Sequence, residues 1–558
     1  MIGDPQALAG LGHPLLQRIY AARGVRAMGE LDYGLAGLPD YSALAGIDAA
    51  VGVLATAVAE AAPIIVVGDF DADGATSTAL ACDALASFGA HVDFFMPQRT
   101  THGYGLSPQV VAELPACTPG GVLLTVDNGI AAVAGVAAAR EAGWQVVVTD
   151  HHLPGETLPA ADAIVNPNQP GCTFVSKRLA GVGVIFYVIA ALRARLAGQG
   201  VTGLPSLSSY LDLVAVGTVA DVVALDHVNR TLVSQGLRRI RAGRGRVGVT
   251  ALAEAAGRDW RKLGAEDIGF VIGPRLNAAG RLEDMTLGVN CLRAPDAPTA
   301  AEIAERLSAI NRDRRRAQRR MVGEAEAALA RMQDEGIERS GIVVHGRAWH
   351  EGIVGLIASK IREQRHRPVV AFAPGASGML KGSARSIPGI HIRDVLARID
   401  AQNPGMIERF GGHAQAAGLS LSFQAFPGFI EAFDEAVAEV LTPELADRIF
   451  HTDGELSTEE ISLANARRLG AAGPWGAAFE APLFHGCFHV LSQRIVGEHH
   501  LKLRLASPAG GADLNAIWFN RDVYLDETVA HRFVYKLAVN EFRGEQSLDL
   551  LVSHAEAG

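Results

Sequence analysis

Between residues 63 and 150 short runs of β-branched and other apolar residues alternate with longer alanine-rich stretches, and most runs stop at a cluster of turn-forming polar residues. The runs at 64–67, 91–95, 122–126 and 145–149 predict strands. The stretches at 75–88 and 131–142, closed by Gly89 and Gly143, predict helices. Such alternation predicts βαβ units and a parallel sheet. Residues 211–219 keep helical apolar spacing, as do Ile303, Leu307, Ile310, Ala317, Met321, Ala325, Leu329 and Met332. The latter set predicts one helix over residues 300–334, about 50 Å long at the standard rise and long enough to bridge two domains across a groove. It opens in a capping box at Pro298-Thr299-Ala300-Ala301-Glu302. A second α/β set follows, with strands at 341–345 and 368–372 and a helix at 351–361. From residue 453 the pattern changes to short strands at 487–495, 500–505, 514–519, 533–539 and 547–552, which predict a small barrel.

The first strand empties into Gly68-Asp69-Phe70-Asp71-Ala72-Asp73-Gly74. Three carboxylates at alternate positions repel one another unless a cation lies among them, and hard oxygen donors suit Mg²⁺ or Mn²⁺. An EF-hand loop matches Asp69, Asp71, Asp73 and Gly74 but fails at its twelfth position, where Leu80 stands, and a strand precedes it. An Asp-rich surface turn is the plain alternative. Two further strands also end in acids, at Val126-Asp127-Asn128-Gly129 and at Asp150-His151-His152. Strand ends of a parallel sheet share one edge, where open α/β sheets bind ligands, so these groups are expected to converge on the first loop. Asp221, after the helix at 211–219, reads alone as a helix-end residue.

At 558 residues the chain suggests three or four domains, and 49% hydrophobic against 20% charged residues marks it as globular. No run reads as long and apolar enough to span a bilayer, and the start lacks the layout of a signal peptide. Five scattered cysteines without a CxxC pair favour reduced thiols in a cytoplasm. A net charge of −10 argues weakly against a nucleic-acid partner, but clustered acids can coexist with a local basic track. The most basic stretch of the chain, residues 312–320 with six arginines, reads either as a solvated helix face or as a contact for a phosphate backbone.

The four motifs Gly68-Asp69-Phe70-Asp71-Ala72-Asp73-Gly74, Val126-Asp127-Asn128-Gly129, Asp150-His151-His152 and Gly217-Thr218-Val219-Ala220-Asp221, in this order, resemble the DHH phosphoesterase superfamily, and within it the bacterial single-stranded-DNA exonucleases. The resemblance extends over nearly the whole chain. It implies an α/β fold in which a parallel-sheet DHH domain is joined by a long helix to a smaller α/β DHH-associated domain, followed by a C-terminal OB-fold barrel. The expected division is an extension at 1–60, a catalytic domain at 61–297, the helix at 298–337, the associated domain at 338–450 and the barrel at 451–558. The chain stops soon after the barrel, so a further terminal domain of longer relatives is expected to be missing.

The resemblance also assigns residues. Asp71, Asp73, Asp127, His151 and Asp221 would hold two Mn²⁺ or Mg²⁺ ions, with Asp69 and Asp150 in support. His152 would orient the scissile phosphate or handle its proton, and His413 would lie near that phosphate. The segment Gly273-Pro274-Arg275-Leu276-Asn277-Ala278-Ala279-Gly280-Arg281 reads by itself as a glycine-bounded surface loop; the family makes Arg275, Asn277 and Arg281 candidates for phosphate contacts. Ser383 and Arg385 would take a 5′ phosphate, and Gly411 and Gly412 would offer backbone N–H groups, a plain tight turn being the alternative for the glycine pair. In the barrel, Trp518, Phe519, Tyr535 and Phe542 are available for stacking on bases, although most aromatics of a small barrel are core.

The implied activity is 5′ to 3′ exonucleolytic hydrolysis of single-stranded DNA to mononucleotides, in repair and recombination, in the cytoplasm and with no membrane partner. Nothing in the spacing encodes the direction. A single-strand-binding protein and a helicase are the protein partners to test. Two competing functions remain: a DHH enzyme for very short oligonucleotides or cyclic dinucleotides, and a non-catalytic DNA-binding relative.

Overall fold

The computed structural model describes residues 3–558 apart from 100, 335, 337, 376–377, 498 and 508–509. The chain forms two compact units, one of Met1–Asn277, Asp284–Arg306 and Phe450–Gly558, the other of Ala278–Glu283 and Leu307–Ile449.

The first unit is built on five parallel strands, β1 (Pro63–Val67), β2 (His91–Phe95), β3 (Val122–Val126), β4 (Gln145–Thr149) and β5 (Ala163–Val165), in the order β2-β1-β3-β4-β5. Every residue of β3 is buried, as are the last four of β1 and of β4, which is why these strands are mostly apolar rather than alternating. Burial of each Val, Leu or Ile contributes about 1.5–3 kcal/mol, so the centre of the sheet is firmly held. The three-residue β5 has no counterpart in the sequence prediction; it is too short to show a period.

Helices cover the sheet. α1 (Ala72–Ser87) follows β1, and α2 (Gly181–Gly198) and α3 (Leu211–Ala220) pack against it. α4 (His227–Arg239) comes next. α1 starts three residues earlier than its alanine pattern predicts, because Asp71 caps it by accepting the N–H groups of Asp73 and Gly74 at 3.0 Å each. α2 corrects the expectation that no run could span a bilayer. By length and composition it is long and apolar enough, but 67% of it is buried inside the protein, as suits a helix packed on other helices.

α5 (Gly273–Leu282) is a helix where a surface loop was expected. Its Leu276, Ala278 and Ala279 are buried, and helical continuation of the preceding π turn Ile268–Ile272 outweighs the glycine and proline signals. α6 (Ala297–Asp334) contributes its first turns to one unit and the rest to the other. Its cap is Asp296, whose Oδ1 accepts the Thr299 N–H at 2.9 Å, not Thr299 itself. The earlier start places Pro298 in the first turn, where no N–H is needed.

The second unit holds β6 (Ile342–His345), α7 (Glu351–Arg365), β7 (Val369–Pro374), β8 (Met379–Arg385), β9 (Arg409–Gly412) and β10 (Ala416–Ser422), with sheet order β6-β7-β8-β10-β9. Only the β6/β7 pair is parallel.

The closed barrel belongs to the first unit: β11 (Phe484–Val496), β12 (His500–Ala506), β13 (Leu514–Trp518), β14 (Ala530–Phe542) and β15 (Glu545–Ala557), in the order β11-β12-β13-β15-β14. Its core includes Phe484, Phe488, Phe533 and Tyr535. Tyr535 is therefore not available to stack on a base, whereas Phe519 and Phe542 are 51% and 66% exposed. The N-terminal helix Pro14–Ala22 and its cap dock here. The Tyr20 hydroxyl donates to the Ala472 carbonyl at 2.6 Å, and Arg23 pairs with Asp453 at 2.7 Å.

Candidate metal centre

The acids of β1, β3, β4 and α3 meet at the carboxyl edge of the parallel sheet. Each is placed by backbone geometry. Gly74 lets the Asp69 backbone approach α1, since a Cβ there would sit 2.3 Å from the Asp69 carbonyl oxygen. Asp127 takes φ +61°, a region that costs an L-residue energy and that here turns its side chain back over the end of β3. Gly181 at the start of α2 leaves room for that carboxylate, because a Cβ would lie 2.7 Å from Asp127 Oδ1. Gly217 of α3 likewise makes room for Asp73 Oδ1.

His151 is the hub. Its Nε2 lies 3.1 Å from Asp127 Oδ1, 3.5 Å from Asp221 Oδ2 and 4.0 Å from Asp73 Oδ2. Burial and the neighbouring His152 charge lower its pKa to about 4, and a hydrogen bond with the Leu179 backbone occupies the ring. The ring is thus neutral near pH 7, and Nε2 presents a lone pair to the acids. Asp127 Oδ1 and His151 Nε2 are both buried without a hydrogen-bond partner, as is Asp69 Oδ1. Buried acceptors facing one another are costly unless a cation joins them, so the donor set fits a hard divalent metal. Donor atoms of Asp69, Asp71 and Asp127, of Asp73, His151 and Asp221, and of Asp127, His151 and His152 each gather within 4.8 Å.

The carboxylates register the same crowding. Burial first, and then the charge of Asp71, raises Asp69 well above the usual range and lifts Asp73 to about 7. Asp127 and Asp221 are raised by burial and by the charge of Asp73. Asp150 differs. Burial would raise it, but hydrogen bonds from His152 and the Ile130 N–H, with the histidine charges, hold it below the usual value. Its Oδ1 accepts from the His151 and His152 N–H groups and lies 2.8 Å from His152 Nδ1, so its oxygens are already engaged. His152 is raised in turn, the Asp150 hydrogen bond and charge outweighing burial.

A supporting layer was not foreseen. Asn166 Nδ2 donates to the His152 carbonyl at 2.9 Å and Asn168 Nδ2 to the His151 carbonyl at 2.6 Å, pinning the histidine pair from behind. Asn128 Nδ2 ties the ends of β1 and β3 by donating to the carbonyls of Val67 and Val126. The Tyr104 hydroxyl sits 3.1 Å from His152 Nδ1. The only sequence signal for Tyr104 is its place between Gly103 and Gly105.

The predicted phosphate contacts are divided between the two units. Asn277 Oδ1 accepts the Ala72 N–H at 2.8 Å, so this side chain holds the first turn of α1 and with it the acid loop. Arg275 Nη1 donates to the Val271 carbonyl at 2.7 Å. In the second unit Arg281 Nη1 donates to the Gly352 carbonyl at 3.2 Å. There too, Arg385 Nη1 donates to Ser383 Oγ at 2.9 Å, and Gly355 of α7 gives both side chains room. Gly411, Gly418 and Ser383 pair laterally across β9, β10 and β8, with open space above both glycines. Gly412 takes φ +145°, and His413 follows in the β9/β10 turn, its N–H donating to the Ala416 carbonyl at 2.8 Å.

Comparison with known proteins places these features in a family. The model of the DHH family, N-terminal domain, matches residues 63–218, that of the DHHA1 domain residues 339–439 and that of the RecJ OB domain residues 452–554. The single-stranded-DNA-specific exonuclease RecJ of Dickeya dadantii (strain 3937) is 51% identical over 97% of this chain and 95% of its own. The enzyme of the same name from Escherichia coli (strain K12) is 49% identical over 97% of this chain and 95% of its own. The crystal structure of RecJ in complex with Mn²⁺ from Thermus thermophilus superposes with a TM-score of 0.82 at 30% identity, over 100% of this chain and 79% of that one. With the three domain types in order and about half of all residues identical to full-length relatives, the chain belongs to the RecJ family of DHH proteins.

Proposed function

We propose that the protein is a metal-dependent exonuclease that removes mononucleotides from the 5′ end of single-stranded DNA, serving repair and recombination in the cytoplasm. The observation that carries this reading is the facing pair of partnerless buried acceptors, Asp127 Oδ1 and His151 Nε2, in a nest of raised carboxylates. Two Mn²⁺ or Mg²⁺ ions would be held by Asp71, Asp73, Asp127, His151 and Asp221, with Asp69 in support. When bound, such a pair supplies an activated water and charge stabilisation at the leaving oxygen.

The remaining work falls to this chain's own side chains. Asp150 fixes the ring of His152 through Nδ1 and favours its protonated form, so His152 can orient the scissile phosphate and give up a proton to it. Asn277 supports the acid loop from its backbone side. In the second unit the Ser383 and Arg385 pair beside the bare Gly411 and Gly418 backbone suits a terminal phosphate, with Gly412 and His413 at the adjoining turn.

A single-stranded oligonucleotide labelled at its 3′ end, with or without a 5′ phosphate, tests the reading in the presence of Mn²⁺ or EDTA. A ladder that shortens from the 5′ end only with metal, faster on the phosphorylated strand, is expected. Release of the label as a small fragment would reverse the polarity. No cleavage with any divalent metal would overturn the activity.

A further inference from the structure

Arg238-Arg239-Ile240-Arg241-Ala242-Gly243-Arg244-Gly245-Arg246 carries five arginines in nine residues and no acid. It runs from the end of α4 through the π turn Ile240–Arg244, where Gly243 takes φ +69° and folds the segment back on itself. The turn gathers Arg239, Arg244 and Arg246 with Ser209, Tyr210, Gly245 and Asp83 around a cavity of about 350 Å³.

The charges around this cavity do not cancel. Asp83 is the one acid in the lining, and it is taken by Arg246 at 2.6 Å and by Arg293 at 2.7 Å. The buried Asp212 accepts the Arg246 backbone N–H at 2.6 Å and lies 3.8 Å from its Nε. Four guanidiniums thus face two carboxylates. Arg239 and Arg244 make no side-chain hydrogen bond or ion pair among the described residues, and Arg239 Nε is buried without a partner. A buried donor left unpaired costs stability, and an acceptor entering from outside would satisfy it.

Asp83 also locates the cavity relative to the metal centre. It lies twelve residues after Asp71, about 18 Å along α1 at the helical rise. Donors here cannot reach a phosphate held at the acid cluster.

We propose that this arginine pocket is a second anion site, separate from the catalytic centre, which binds the phosphate groups of a phosphorylated ligand. Planar guanidinium forks take phosphate oxygens in pairs, whereas the Ser209 hydroxyl already donates to the Ser206 carbonyl at 2.7 Å, so the arginines supply the donors. Tyr210 is buried and leaves no exposed ring in the lining, so recognition rests on the phosphates rather than on a base. A small phosphorylated molecule and the backbone of a nucleic-acid strand share that chemistry.

The test uses the full chain in EDTA with inorganic pyrophosphate as probe, followed by thermal shift and calorimetry against chloride at matched ionic strength. Saturable binding is expected, weakened at least about 10-fold by Arg239→Ala and by Arg244→Glu, the latter on an exposed side chain whose change leaves packing alone. Absence of saturable binding, or an affinity in both variants unchanged from wild type, would overturn the proposal. Once binding is seen, an oligothymidylate without terminal phosphates separates the sources. Competition with pyrophosphate identifies a strand backbone as ligand, and its absence a small anion.

Discussion

Asn277 Oδ1 accepts the N–H of Ala72 at 2.8 Å, joining residues 205 positions apart and anchoring the turn that carries Asp71 and Asp73. The contact makes Asn277 a positioning residue. Asn277→Ala should leave the first-turn N–H unpaired at a cost of about 1 kcal/mol and raise the Mn²⁺ requirement about 10-fold. Asn277→Asp, which keeps an acceptor, should retain most of the affinity. Titration of activity against Mn²⁺ checks this, and equal curves for Asn277→Ala and wild type would contradict it.

Asp127 and His151 face each other at 3.1 Å and offer the two partnerless atoms at the centre of the cluster. Asp127→Ala and His151→Ala should each lower turnover by more than about 100-fold while single-stranded DNA is still bound, as measured by fluorescence anisotropy in EDTA.

Gly181 faces the same carboxylate, where a Cβ would lie 2.6 Å from that of Asp127. Gly181→Ala should cost about 1–3 kcal/mol through overpacking and lower activity further than its loss of stability explains. Thermal melts paired with kcat measurements separate the two effects.

Metal binding should be linked to pH through Asp73. Its folded pKa of about 7, against 3.8 for the free side chain, means that the metal-free fold holds a proton the unfolded chain releases. Its contribution to stability is therefore present at low pH and lost as pH rises from about 4 through about 7. A cation displaces that proton, so the Tm gained from Mn²⁺ relative to EDTA should be larger at about pH 8 than at about pH 5.5. A gain that does not change with pH would contradict the linkage.

The barrel offers a clean contrast between two aromatics. Phe542→Ala, at an exposed ring, should weaken single-stranded DNA binding by about 1–3 kcal/mol and leave Tm unchanged. Tyr535→Ala, in the core, should lower stability by about 3–5 kcal/mol.

The parts legible in sequence share a cause. Strands β1, β3 and β4 announce themselves because both faces are covered and most positions are apolar, and the acids that follow them stand at the sheet edge where the topology puts them. The five barrel strands were likewise visible from their alternation. The misses are long-range. Asn166, Asn168 and Asn128 matter through donors to carbonyls elsewhere in the chain, and no local pattern encodes such partners. α5 hides behind a glycine and a proline because buried Leu276 and its alanine neighbours decide its conformation. α2 is an ordinary core helix whose uniform apolarity carries no directional signal.

The unit that holds the acid cluster is written in three separated pieces of chain, and the other unit is inserted between them. Tyr20 and Arg23 near the start wait for Ala472 and Asp453. On a ribosome the inserted unit can therefore complete its contacts while the surrounding one is still open, and the N-terminal helix gains these two partners only after more than four hundred further residues have been made. A nascent chain stalled short of the barrel would carry all of the proposed metal ligands but lack part of the unit that holds them.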